Sequence, residues 1–339
     1  MAKCLICQER EATKKNSHII PSFLVAMVTS YDGSYKRDKE ILFLIKNFNT
    51  KIYTGNLPST EYDRLFDDLT EERIENELKI NTAAQDYIFC PKCESNLSQY
   101  LEAPYASCLN GNKKIANEIP LIFWISVIWR MSVTGNSGFK LSIDTEEKLR
   151  NIIHSYFEHQ ISGSKFSITD ITINYRILHC KDYCRKKAGY IYAEYHEEDD
   201  LLTMTIGDLV ICCMFSSDVL PSHYTYFGLE KYLKTAPINR GQGVEQRVNI
   251  SEDEYTKSIK HFIHFAVDKK KKDEFKKLDT IWKELNLFGQ MPMKMKITFL
   301  LMLYDDTVKL GDKHTTSRYI QIFYYLLKNI DAWFLKTVL

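Results

Sequence analysis

Two Cys-x-x-Cys pairs, Cys4–Cys7 and Cys90–Cys93, stand at either end of residues 8–89 in a chain of 339 residues. A structural zinc site takes four donors in a tetrahedron, and thiolate is a favoured one. A two-residue gap lets both sulfurs of a pair face one ion, so the chain must fold back to bring the pairs together. The first pair predicts a tight knuckle. The second predicts a helix beginning at Pro91, since proline lacks the N–H that has no partner at the first helical position. The positive end of that helix dipole favours thiolate. Redox chemistry is the competing use of a lone Cys-x-x-Cys, but neither pair sits in a βαβ pattern, and two pairs favour zinc.

The segment Met1–Arg10 is polar and charged with no apolar signal core, and the nine cysteines are an odd number. Both features argue against a secreted disulfide framework. The longest apolar run, Ile119–Trp129, is stopped by Arg130 and suits a buried helix better than a membrane span. We therefore expect a soluble, cytoplasmic protein with no membrane partner. A formal net charge of +1 neither supports nor excludes nucleic acid. The local basic candidates are Lys269–Lys272 with Lys276 and Lys277, and Lys14, Lys15, Lys36, Arg37 and Lys39. No G-x-x-x-x-G-K-[ST], G-x-G-x-x-G or G-x-S-x-G motif occurs, which argues against a P-loop NTPase, a dinucleotide-binding fold and an α/β-hydrolase.

Hydrophobic patterning predicts an α+β chain. Residues 1–112 form the zinc-binding region, with a strand at Ile41–Ile45, a helix-prone stretch at Glu61–Leu78 and a helix from Pro91 whose Leu97 and Leu101 share a face. Residues 113–339 form a second domain. It begins with two helices, the first entered at Pro120 and the second capped by Asp144 and Glu147. An antiparallel sheet follows, drawn from Phe166–Tyr175, Tyr190–Tyr195 and Leu201–Phe215, with a turn at Gly207-Asp208. The chain ends in helices. One starts at Ser251 with Glu254 as its capping box, the charge run Lys269–Lys272 separates it from the next, and Met295–Tyr304 and Ser317–Leu339 follow.

Ser17-His18-Ile19-Ile20-Pro21 lies just after the first cysteine pair, and Glu94 follows the last cysteine. Cys-x-x-Cys, His-Ile-Ile-Pro, and a Cys-x-x-Cys opening a helix together resemble the HNH endonucleases, the treble-clef or ββα-metal family. Pro21-Ser-Phe-Leu24, Cys93–Glu102 and Trp129-Arg130 resemble a bacterial subgroup whose members look like parts of defence or mobile-element systems. The resemblance covers roughly residues 1–135. It implies an N-terminal treble-clef zinc domain with Cys4, Cys7, Cys90 and Cys93 as the structural zinc ligands. It also implies His18 as general base on water, and a catalytic Mg2+ or Mn2+ ion with Glu94 among its ligands. The implied partner is nucleic acid, DNA foremost. Residues 113–339 would then sense, recruit or regulate, with a protein partner possible there.

Three positions depart from the family pattern. Ser17 stands where an acidic or histidine ligand is usual. Glu94 stands where histidine or asparagine is usual. No central asparagine is evident, Asn81 and Gln85 being weak substitutes and Asp67 and Asp68 alternative carboxylates. A non-catalytic, zinc-stabilised binding module is therefore a second reading. Glu102 lies two turns beyond Glu94, about 12 Å along a regular helix, too far to share one ion, so a salt bridge or simple solvation is expected of it. His179-Cys180-x3-Cys184, Cys212-Cys213, and His261 with His264 read as structural or ordinary surface residues.

Overall fold

The computed structural model describes residues 2–29, 53–54, 84–109, 111, 115, 118–135, 139–168, 171–187, 189–310 and 316–329. The expected strand at Ile41–Ile45 and the helix-prone stretch Glu61–Leu78 lie outside them, as do Lys36, Arg37, Lys39, Asp67, Asp68 and Asn81. Two compact units divide between Ile259 and Lys260. The expected boundary at 112/113 falls inside the first unit, because one hydrophobic core runs from Cys4 to Phe215.

In the first unit, β1 (Ser17–His18) precedes α1 (Ser22–Thr29), and β2 (Tyr53–Thr54) and β3 (Ala84–Gln85) follow. The helix α2 begins at Pro91 as expected. It runs as Pro91–Asn96 in α geometry, Leu97–Glu102 in π geometry and Ala103–Leu109 in α geometry again. Next come α3 (Glu118–Val133) and α4 (Ile143–Ser162). Every residue from Pro120 to Ser132 in α3 is buried. A helix apolar all round belongs inside the fold, and α3 packs against both α2 and α4. Its aromatic residues bind the layers together. Phe123 stacks on Tyr105 of α2 with ring centroids 4.1 Å apart, and Trp129 stacks on Phe89 at 6.1 Å.

The sheet contains β4 (Asn174–His179), β5 (Tyr190–His196), β6 (Leu201–Ile206) and β7 (Leu209–Met214), joined at its edges by β2 and β8 (Val248–Asn249). Its order is β2-β5-β6-β7-β4-β8, antiparallel throughout except at β4-β8. The fold is thus mixed, with helices and a predominantly antiparallel sheet. Period-two alternation carries Leu202, Met204, Ile206, Leu209, Ile211 and Cys213 into the main core. On the opposite face, Thr203 and Thr205 meet the hydroxyls of Tyr224 and Tyr226, each at 2.8 Å. Cys212 and Cys213 therefore sit buried on opposite faces, as their adjacency implies.

Gly207 makes the β6–β7 turn with φ +58°, and a Cβ there would stand 3.1 Å from that of Met27. The expected strand Phe166–Tyr175 is shorter than its alternation suggests, since β4 starts only at Asn174. Phe166 instead packs edge-on against Tyr156 of α4. The α4 cap is Ser142 in place of Asp144, its hydroxyl accepting the Thr145 N–H at 3.1 Å.

The helix α6 (Glu252–Glu284) follows α5 (Glu230–Thr235) and leads into the second unit, which also holds α7 (Met293–Leu310) and α8 (Thr316–Lys328). Lys269–Lys272 lie within α6 and do not separate two helices. Lysine is a good helix former, and the buried spacing of Phe262 and Ala266 resumes at Leu278 and Trp282 on the same helix. The core of this unit is Leu278, Trp282, Met291, Met295, Phe299, Leu303, Ile322, Phe323 and Leu326. Among the described residues, no helix is long and apolar enough to cross a membrane.

Candidate metal centre

The knuckle carrying Cys4 and Cys7 is closed by two backbone bonds, Cys4 N–H to the Arg10 carbonyl and Gln8 N–H to the Cys4 carbonyl, each 2.8 Å. Gln8 adopts φ +57°, the left-handed geometry that turns the chain back on itself. Leu5 N–H donates to the Ile88 carbonyl at 2.9 Å, and Lys14 N–H to that of Phe89 at 3.1 Å. These bonds lay the second pair alongside the first. Cys90 caps α2, its Sγ accepting the Cys93 N–H at 3.5 Å, and Pro91 takes the first helical position.

The sulfurs of Cys4, Cys7, Cys90 and Cys93 all lie within 4.8 Å of one another, and all four residues are buried. Zinc–sulfur bonds of ~2.3 Å imply sulfur–sulfur edges near 3.8 Å in a tetrahedron, so the cluster needs only a small contraction to hold a metal ion such as zinc. Cys4 is drawn below the usual thiol range and Cys93 pushed above it, chiefly by the hydrogen bond between them. Four thiols this close cannot all ionise unaided; a bound divalent cation would supply the missing positive charge. Beside them the exposed Arg10 is held more firmly protonated, chiefly by its contact with Cys90.

A second cluster adjoins the first. His18 sits half-buried on β1, which among the described residues pairs with β3 through Ser17↔Gln85 and His18↔Ala84. Glu94 lies in the first turn of α2, directly after Cys93. Its Oε2 and the Ser17 hydroxyl are both buried and make no well-formed hydrogen bond among the described residues, although they lie close enough for Ser17 to lower the Glu94 pKa. Burial pushes the Glu94 carboxyl up. Ser17 and the Arg130 guanidinium pull it back, Glu102 adds to the rise, and His18 again opposes it. The expected base and the expected carboxylate are thus brought into one polar neighbourhood beside the cysteines.

Arg130 is the residue that sequence reasoning undervalued. It is 1% exposed. One guanidinium nitrogen, Nη1, donates to the His18 carbonyl at 2.9 Å and to Glu102 Oε1 at 2.7 Å, while Nε donates to the Ser126 carbonyl at 3.1 Å. The signal was present in the sequence, since a charge inside an otherwise apolar helix must find partners. Of the two outcomes expected for Glu102, salt bridge or solvation, the structure has the salt bridge, and its partner also holds the backbone of His18. Gln85, the weak substitute for a central asparagine, lies on β3, opposite Ser17. His261 and His264 are exposed on α6, and among the described residues the four-cysteine set is the one grouping with metal-ligand spacing. No family model, curated protein or solved structure matches this chain.

Proposed function

We propose that this chain is a metal-dependent nucleic-acid endonuclease of HNH type, with DNA as its substrate and a treble-clef zinc domain as scaffold. One observation carries the reading. His18 and Glu94, far apart in sequence, lie in one polar neighbourhood that abuts four clustered cysteines. Imidazole as a residue type changes charge near neutral pH, which suits a general base that accepts the proton of an attacking water. Glu94 is a hard oxygen donor with one buried oxygen that makes no well-formed hydrogen bond among the described residues, the kind of group that takes Mg2+ or Mn2+. Bound there, such an ion supplies Lewis-acid stabilisation of the scissile phosphate and the leaving oxygen. The zinc-bearing cysteines hold β1 and the start of α2 in place, and the rest of the chain recruits or regulates.

The alternative, a zinc-stabilised binding module without catalysis, draws support from Ser17. This poor ligand is fully buried where the family pattern places a metal-binding side chain. Plasmid nicking with magnesium or manganese separates the two. The wild type is expected to nick DNA, and His18→Ala to lower the rate by ~10²- to 10⁴-fold, the usual worth of a positioned base, with zinc content unchanged. Equal cleavage by both proteins would remove His18 from catalysis. No cleavage by a folded, zinc-loaded wild type would favour the binding module.

A further inference from the structure

Arg130, a charged group only 1% exposed, points at the backbone of the proposed base. We propose that Arg130 and Glu102 are positioning residues that clamp the His18 carbonyl and so set the direction of its imidazole. This rests on the nuclease reading for its kinetic consequence, though not for its structural one.

The strand β1 is only two residues long and pairs with an equally short β3. So short a ladder fixes a backbone poorly, because each end of a strand frays. His18 is therefore held from elsewhere. Arg130 reaches it from the buried helix α3, across 112 positions of sequence, with a 2.9 Å hydrogen bond to the His18 carbonyl. The guanidinium is itself immobilised on its own helix by the Ser126 carbonyl at 3.1 Å, with Ser126 Oγ 3.4 Å from Nη2. Glu102 completes the clamp at 2.7 Å and supplies the counter-charge.

Glu102 stands at the end of the π segment Leu97–Glu102. Bonding from i to i+5 admits an extra residue into the turn and re-aims the side chains beyond it, and such segments gather at functional sites. A guanidinium that only filled space would be replaceable by an apolar side chain. This one directs both N–H bonds of Nη1 at one carbonyl and one carboxylate while Nε holds the Ser126 carbonyl. Lysine keeps the charge and loses the separate Nε bond to the Ser126 carbonyl that fixes the group's direction, while Glu102→Gln keeps the shape and loses the counter-charge.

The test compares full-length Arg130→Lys and Glu102→Gln with wild type, each checked for zinc content and melting temperature. The first readout is independent of activity: the ¹H–¹⁵N signals of the His18 ring and the hydrogen exchange of its neighbouring amides. Both variants are expected to shift or broaden the ring signals and to speed exchange around Ser17–Ile19. The second readout is nicking kinetics. Here kcat should fall roughly 10- to 100-fold, the scale of a small misplacement, with KM for DNA unchanged. In a His18→Ala background neither substitution should lower kcat further. Unchanged His18 ring signals in both variants would overturn the clamp, as would a kcat loss that persists undiminished without His18. If Arg130→Lys loses zinc, Glu102→Gln decides alone, since its side chain is 20% exposed and tolerates a neutral isostere. A wild type that never nicks DNA sinks the nuclease reading, while the ring signals still decide whether the clamp exists.

Discussion

A buried ionisable side chain must be paired or change its protonation, and the first unit contains both outcomes. Arg130 is paired on every side that matters to His18. His179, half-buried at the end of β4, takes the other course. Burial holds its pKa below the ordinary value of 6.5, and the nearby Arg247 charge adds to that. A folded-state pKa below the unfolded one means that the unfolded chain binds the proton more readily. The stabilising contribution is then complete above about pH 6.5 and is lost as pH falls through that value toward the folded pKa. We expect wild type to lose more stability between pH 7.5 and pH 5.5 than His179→Asn does, as read from urea midpoints. Identical losses would show that His179 pays no penalty for charging. The cysteines are marked by their spacing alone, whereas His18 and Glu94 stand out only through the resemblance to the HNH pattern. Arg130 and Glu102 were legible only in part, since their roles come from a contact between α2 and α3 that no local pattern encodes.

Elements show the same division between local and distant causes. The helix α4 is set almost wholly by neighbours in sequence. Ser142 caps its start, Gly163 ends it at φ +71°, and Leu149, Ile153, Tyr156 and Phe157 form its buried face. Leu149, Ile153 and Tyr156 follow one another at spacings of four and three, as one helical face requires, and the expected cap differs from the observed one because Asp144 is also a good capping residue. Ser142→Ala is expected to cost about 1 kcal/mol, and Gly163→Ala a similar amount through its left-handed geometry, both measured by urea unfolding. A loss under a few tenths of a kcal/mol in both would mean that packing alone defines this helix. The π segment of α2 had no comparable signature. Leu97 and Leu101 are spaced as in an ordinary helix and both are buried, so the sequence reading continued the α pattern through them. What distinguishes the segment is where Glu102 must point, and that is dictated by α3.

At the scale of the whole molecule, the described residues include two core clusters that share no residue, and the four clustered cysteines belong to the first. The first core joins Cys4 to Phe215 through α3 and the sheet, which is why a domain boundary near residue 112 looked plausible from composition but does not match the packing. Metal binding at a four-thiolate site contributes directly to folding, on the order of 10 kcal/mol, comparable with the entire net stability of a typical domain at roughly 5–15 kcal/mol. Cys90→Ser should therefore release zinc and expose the amides around Leu5, Phe89 and Trp129 to rapid hydrogen exchange. The amides of Trp282, Met295 and Phe299, whose side chains pack without a cysteine, should keep their protection. Exchange mapped by mass spectrometry reads both halves in one experiment. A uniform loss of protection across the chain would mean that the two cores fold as a single cooperative unit. An unchanged pattern with zinc retained would mean that three thiols suffice and that Cys90 is not needed to hold the ion.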